Sequence, residues 1–311
     1  MAGLRPTAFE GDPDVDELRT FFLPEHQFDG DVLWTFGTSL KSAYVNSFEF
    51  MNHAPVVQLW RDDANVIQAV SRISLGTGEW FHQASPSHRT AEVSNPIINQ
   101  ADAALALLTS RSGWSTVRYG SKLDEIEHLE RCGYVGSNAT EVVMSRSLLE
   151  PIKAVVVPDG IDVRILDPDD VAAVHERAMA QVDAFSAGAP TKRERAWITR
   201  SLPHQLEYRS ADSNLSVIAV DEGRTVLGFA DPFFDCVNGI GEFEPVGTRQ
   251  GARQQGLSKA VLARGLQEMR DHGMTEAIVR TGIENGAAIA AYESVGFKIV
   301  ERLVRFTQQR R

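Results

Sequence analysis

Cysteine is scarce in this chain: Cys132 and Cys236 are the two thiols in 311 residues. One pair cannot build the disulfide framework of a small secreted domain or a cysteine-rich metal site, so two structural thiols are expected. Long apolar runs are also missing, and no stretch approaches the ~20 residues that a membrane-spanning helix needs. The start, MAGLRPTAFEGDPDVDELRT, holds five acidic residues and no apolar segment of the kind found in signal peptides. A cytoplasmic protein with no membrane partner is therefore expected. Basic charge is in deficit, 31 Lys and Arg against 42 Asp and Glu, for a net of −11. Residues 1–150 hold 11 basic and 20 acidic side chains (net −9), and residues 151–311 hold 20 and 22 (net −2). A general nucleic-acid binder needs a basic face to displace counterions, so this balance argues against that class and suits a cationic amine ligand. The eight histidines never fall at H-x-x-x-H spacing, and no metal site is expected.

What is present is ordinary globular composition, 43% hydrophobic and 23% charged, in a chain long enough for two domains of ~150 residues. The boundary falls in SRSLLEPIKAVVVPDGIDVRIL, where Pro151, Pro158 and the Asp159-Gly160 turn signal interrupt the pattern. The expected domains are residues 1–155 and 156–311. In the second, Ile161–Leu166 alternates as a strand and Asp167–Asp170 opens a helix with an acidic cap. A further helix resumes near Thr191. LSVIAVD and TVLGFADPFF are strands joined at Glu222-Gly223, and Ile240–Thr248 is a third. A helix from Ser258 to His272, a strand Glu276–Thr281, a helix capped by Asn285 and a last strand from Phe297 to about Thr307 follow. The order is β-α-(α)-β-β-β-α-β-α-β.

The sharpest local feature is Arg253-Gln254-Gln255-Gly256-Leu257-Ser258, between a strand and a helix start. There the turn amides and the helix N-terminus point one way and form a ready anion site. Gly256 lets backbone approach the anion, Arg253 adds charge and Ser258 supplies a capping hydroxyl. Taken alone, a glycine beside a helix start is also simply a turn. Glu242 and Glu244, two apart on one strand, point to one face. They line a wet cavity, where one accepts a proton from an ammonium, or they form the solvated face of an exposed strand. Tyr292 lies on the inner face of its helix, as a proton donor or as a packed core residue.

Together, GEFEPVGTRQGARQQGLSKAVLARGLQEMRDHG and IVRTGIENGAAIAAYESVGF resemble the GNAT superfamily of acyl-CoA N-acetyltransferases. Arg253-x-x-Gly256-x-Ser258 is similar to that family's pyrophosphate loop, (Q/R)-x-x-G-x-(G/A), with Ser258 a small departure. Asn285 and Tyr292 match its helix after the fifth strand, and Tyr292-Glu293-Ser294-Val295-Gly296-Phe297 its YxxxGF ending. The resemblance implies acetyl-CoA as cosubstrate, with no metal. Its phosphates would lie on Arg253, Gln254, Gln255, Gly256, Leu257 and Ser258, and its pantetheine arm along Val246, Gly247 and Thr248. Asn285 and Tyr292 would also contact it. The resemblance further implies Tyr292 as the donor to the leaving sulfur and Glu244, or else Glu242, as the base.

The first half resembles the same plan in degenerate form. PVVQLWRDDANVIQAVSRIS forms two strands around Asp62-Asp63-Ala64-Asn65, and STVRYGSKLDEIEHLERCGYVG parallels the C-terminal strand and helix. In that register Leu129 stands where Tyr292 stands, and SPSHRTAEVSNPI has no glycine after Arg89. The expected fold is thus α/β: two GNAT-like domains, each a mixed, mostly antiparallel twisted sheet flanked by helices, the first degenerate and the second catalytic. The implied activity is acetyl transfer to a primary amine of a small molecule. A non-catalytic acyl-CoA-binding regulatory module and a protein N-terminal or lysine acetyltransferase are the competing readings, and a homodimer is left open.

Overall fold

The computed structural model describes residues 4–9, 12–21, 56–74, 78–108, 112–120, 123–186, 191–207, 215–236 and 238–309. In chain order the elements are β1 (Arg5–Ala8), α1 (Asp12–Phe21), β2 (Val56–Arg61), β3 (Ile67–Ser74), β4 (Glu79–Ala84), α2 (Ala91–Leu108), β5 (Gly113–Tyr119), α3 (Leu123–Arg131) and β6 (Val135–Ser147). Then come β7 (Ile161–Ile165), α4 (Val171–Phe185), α5 (Lys192–Glu207), β8 (Val217–Asp221), β9 (Val226–Asp235) and β10 (Ile240–Thr248). The chain closes with α6 (Leu257–Asp271), β11 (Glu276–Gly282), α7 (Gly286–Ser294) and β12 (Lys298–Gln309). Two compact units divide it: Met1–Val142 with Glu301–Arg311, and Val143–Val300. The turn-rich stretch 151–160 thus lies within the second unit. None of the helices among the described residues is long and apolar enough to cross a membrane.

Each unit is a mixed, mostly antiparallel sheet with helices, as the sequence pattern implies. In the first, β1, β2, β3 and β4 pair antiparallel and β4 runs parallel to β5. The Leu303–Gln309 part of β12 pairs antiparallel with β5. The β2–β3 turn is an Asx turn: Asp62 Oδ1 accepts from the amides of Ala64 (3.0 Å) and Val66 (2.9 Å), and Asn65 takes φ +65°. Trp80, Ile98, Leu105, Leu129, Tyr134 and Phe306 belong to one of its apolar clusters. Within that cluster Asp102 Oδ1 accepts from Trp114 Nε1 (2.6 Å) and Tyr134 Oη (2.5 Å), which satisfies both buried donors.

In the second unit β7, β8, β9 and β10 pair antiparallel and β10 runs parallel to β11. The Asp170 side chain caps α4 through the Ala173 amide (3.0 Å), and the Asp221 carbonyl closes the β8–β9 turn on the Arg224 amide (2.9 Å). Val174, Ala178 and Val182 of α4 with Ile198, Leu202 and Leu206 of α5 cover Ile218, Val226 and Phe229 of the sheet. The helix α6 packs against β10 so closely that a Cβ on Gly265 would lie 2.8 Å from Phe243 Cζ. Neither cysteine is in a disulfide. Cys132 is half-buried, and Cys236 is exposed rather than packed as a structural thiol.

Candidate active site

The chemistry-bearing residues converge where β10 parts from β11. Their parallel register runs only from Ile240↔Glu276 to Glu242↔Ile278. Beyond it β10 keeps its register with β9, after a bulge between Phe243 and Val246, from Val246↔Ala230 to Thr248↔Gly228. The Glu244–Pro245 peptide inside the bulge is cis. Val246, Gly247 and Thr248 therefore sit on the strand end past the parallel pairing, with backbone groups that β11 does not use in that register.

The chain then makes a 3₁₀ turn, Gln250–Ala252, and enters α6 through Gln254 at φ +63° and Gly256 at φ +82°. Gly256 is the N-cap and no side chain caps the helix. The first amides of α6 thus have no intrahelical acceptor, and the positive end of the helix faces an exposed loop. A Cβ on Gly256 would meet nothing within 4 Å. The glycine is required by its left-handed backbone and by the space it leaves, not by packing. These features fit a pyrophosphate: open room, unbonded amides and favourable potential at one point.

Two loop residues behave differently from expectation. Ser258 does not cap, because it lies inside the first turn. Its hydroxyl bonds Thr248 Oγ1 at 2.8 Å and ties α6 to the end of β10. Arg253 Nη2 donates to the Ala184 carbonyl (2.9 Å) at the C-terminal end of α4, so its guanidinium anchors the loop. Leu257 is buried, leaving the exposed Gln254 and Gln255 beside Gly256. The sequence reading missed Gln250 and Asp183. The Gln250 amide donates to Asp183 Oδ2 (2.7 Å) and its Nε2 to the carbonyls of Asp183 (2.9 Å) and Ser186 (3.0 Å). No local pattern reveals a contact 67 residues distant.

Asn285 caps α7 as expected, accepting from the Ala288 amide at 3.3 Å. Tyr292 on that helix is buried, edge-on to Phe297 with ring centroids 5.9 Å apart. Burial pushes its phenol pKa up, and the carboxylate of Glu244 adds to the effect. Its hydroxyl is therefore protonated throughout the neutral range, as a proton donor must be. The two strand acids part company: Glu242 is buried and Glu244 exposed. Their shared environment, expected from simple alternation, is broken by the bulge that follows Phe243. Glu244 is the one that acts on Tyr292. Among the described residues no group of three His, Cys, Asp or Glu side chains is placed to hold a metal.

Behind this strand end lies a second assembly that the sequence did not disclose. Arg177 of α4, fully buried, donates to Asp231 Oδ2 (2.6 Å), Ser216 Oγ (3.0 Å) and Gln181 Oε1 (3.0 Å). Its guanidinium carbon lies 3.5 Å from the centroid of the Phe229 ring. Burial lowers its pKa and Asp231 opposes that shift. An arginine on a helix ordinarily signals a wet face, so nothing local marked it.

Residues 181–297 match the acetyltransferase (GNAT) family. Over that stretch the chain is similar to that family. The mycothiol acetyltransferase of Streptomyces avermitilis is 29% identical over 146 residues, 45% of this chain and 44% of that protein. That of Paenarthrobacter aurescens is 26% identical over 220 residues, 68% and 64% of the two chains. The chain thus spans about half the length of the first of these relatives and just under two thirds of the second. A tandem GNAT protein from the clavulanic acid biosynthesis pathway superposes with TM-score 0.71 at 14% identity, covering 98% of both chains. A GCN5-related N-acetyltransferase from Sphaerobacter thermophilus does so with TM-score 0.63 at 17% identity, covering 98% and 95%. These likenesses establish the GNAT fold.

The first unit has a similar order of strand, 3₁₀ turn, helix, strand, helix and strand. After β4 comes a 3₁₀ turn, Pro86–His88, then Arg89, as Arg253 follows the turn in the GNAT segment. One residue separates Arg89 from α2, whereas three separate Arg253 from α6. Three positions before the turn, the GNAT segment has Gly247 and the first unit has Gln83, a buried side chain. The Tyr134 amide donates to the Leu129 carbonyl (3.0 Å) as Phe297 donates to Tyr292 (3.1 Å), so Leu129 holds the position of Tyr292.

Proposed function

We propose that this chain is a cytoplasmic N-acetyltransferase that moves an acetyl group from acetyl-CoA to a primary amine of a small molecule. The observation that carries this reading is the strand end of β10 past its pairing with β11, followed at once by the uncapped start of α6 at the left-handed Gly256. The names of the mycothiol acetyltransferase relatives support a small-molecule acceptor.

In this reading the Gln254–Leu257 turn holds the pyrophosphate, and the Val246–Thr248 backbone holds the pantetheine arm. Acetyl-CoA, when bound, supplies a thioester carbonyl open to attack. Glu244 takes a proton from the substrate ammonium, leaving a neutral amine free to form the N–C bond. Tyr292 donates its proton to the sulfur as the C–S bond breaks. Protonated Glu244 no longer repels the developing phenolate, so accepting the first proton eases release of the second. Glu242, buried near the parallel pairing, is the alternative base. Asn285 orients α7 through its cap and thereby Tyr292. The first unit, with its shortened loop, is a degenerate copy that binds no acetyl-CoA.

The test is thiol release from acetyl-CoA with a panel of small primary amines beside lysine-bearing and free N-terminal peptides. Turnover with small amines is expected. Turnover with peptides alone makes the chain a protein acetyltransferase. Acetyl-CoA binding without turnover on any acceptor leaves a binding module.

A further inference from the structure

The buried Arg177 assembly has no role in the proton transfers above, yet it meets the strand end on which they depend. In register, Phe229 of β9 lies opposite Gly247 of β10. A Cβ placed on Gly247 would run into the Phe229 ring, whose Cε1 lies 2.9 Å away, and would come within 3.1 Å of the Ala184 Cβ of α4. The tip of the ring therefore lies close against the glycine, and only glycine tolerates that approach. Over the same ring sits the guanidinium of Arg177, 3.5 Å from its centroid. Asp231 and Ser216 fix that guanidinium in turn, since Ser216 Oγ also donates to Asp231 Oδ1 at 2.6 Å.

We propose that Arg177 is a positioning residue: stacked on Phe229, it sets where the Gly247 backbone stands for acetyl transfer. This rests on the acetyltransferase reading. A buried ion pair is poor evidence for stability, because a well-packed apolar replacement is often neutral or better. What the pair supplies here is direction. A planar cation held by three acceptors has one orientation, and a ring that it covers and that abuts a glycine has one place to lie. A lysine in its stead keeps the charge but has no flat face to stack. The pyrophosphate turn stands outside this stack, held by Gln250 and Arg253 on the end of α4. Cofactor affinity and acetyl placement should thus separate.

Two variants test this. Arg177→Met with Asp231→Leu removes both charges together and is expected to fold with unchanged or higher Tm. Arg177→Lys keeps the ion pair and loses the stack. Misplacing reacting groups by about 1 Å costs on the order of 100-fold, so kcat should fall at least tenfold in both while the Kd for acetyl-CoA stays within twofold. A folded double variant with kcat within twofold of the parent overturns the proposal, as does a parallel loss of acetyl-CoA binding. If the parent itself turns over no amine, the acetyltransferase reading fails separately, and the geometry is still decided by NMR. Labelling valine carbonyl carbon and glycine nitrogen selects the three Val–Gly amides, those of Gly136, Gly247 and Gly296. The Gly247 signal, assigned by its loss in Val246→Ile, should shift in Arg177→Lys while the other two hold. An unmoved Gly247 amide refutes the positioning role.

Discussion

Burial raises the pKa of the Tyr292 phenol on α7, and the carboxylate of Glu244, on the bulged end of β10, adds to that rise. Residues 48 apart in sequence are thus joined electrostatically across the point where β10 and β11 separate.

Tyr292→Phe separates proton donation from packing. The ring and its edge contact with Phe297 remain, so Tm should change little. Loss of a general acid typically costs about 10²–10⁴-fold, and a fall in kcat of at least tenfold is expected with acetyl-CoA binding retained. An acyl thioester with a more acidic leaving thiol should recover part of the loss. Turnover within twofold of the parent on every accepted amine would make Tyr292 a packing residue.

The buried phenols also set an alkaline limit. Burial, with Glu244 in one case and Asp102 in the other, raises the pKa of Tyr292 and Tyr134. Unfolded tyrosine ionises near pH ~10. Below that value both states keep the proton and the contribution to stability is complete. Above it the unfolded chain releases protons that the folded chain retains, so stability falls as pH rises from about 10. Phenolate absorbance should show two of the five tyrosines ionising only as the protein unfolds. Five phenolates in a protein with intact circular dichroism would contradict it.

Gly256→Val tests the anion turn. No atom lies within 4 Å of the added Cβ, so the substitution meets no packing clash. A left-handed valine costs roughly 1–2 kcal/mol, and its methyl groups occupy the space beside the free amides. The fold should survive with a modestly lower Tm, and the thermal stabilisation by acetyl-CoA should vanish. An undiminished shift places the phosphates elsewhere.

Calorimetric titration should give one acetyl-CoA per chain. The first unit has a loop two residues shorter and the buried Gln83 where the second has Gly247. Two equivalents would show that its loop binds despite both changes.

Local chemistry was legible in the sequence. The Asp170 and Asn285 caps, the Asp62 turn, the β8–β9 hairpin and the Gly256 turn each depend on a few consecutive residues, which carry their own hydrogen-bond partners. The same holds for hydrophobic period, and hence for the order of strands and helices. Tertiary structure decided the rest. It put Leu303–Gln309 of the last strand beside β5, put Ser258 against Thr248 instead of on the helix cap, and divided Glu242 from Glu244 at a bulge. It also made Arg177, 54 residues from Asp231, the centre of a buried stack. Pairing and burial depend on which distant segments meet, and no window of neighbouring residues contains that information.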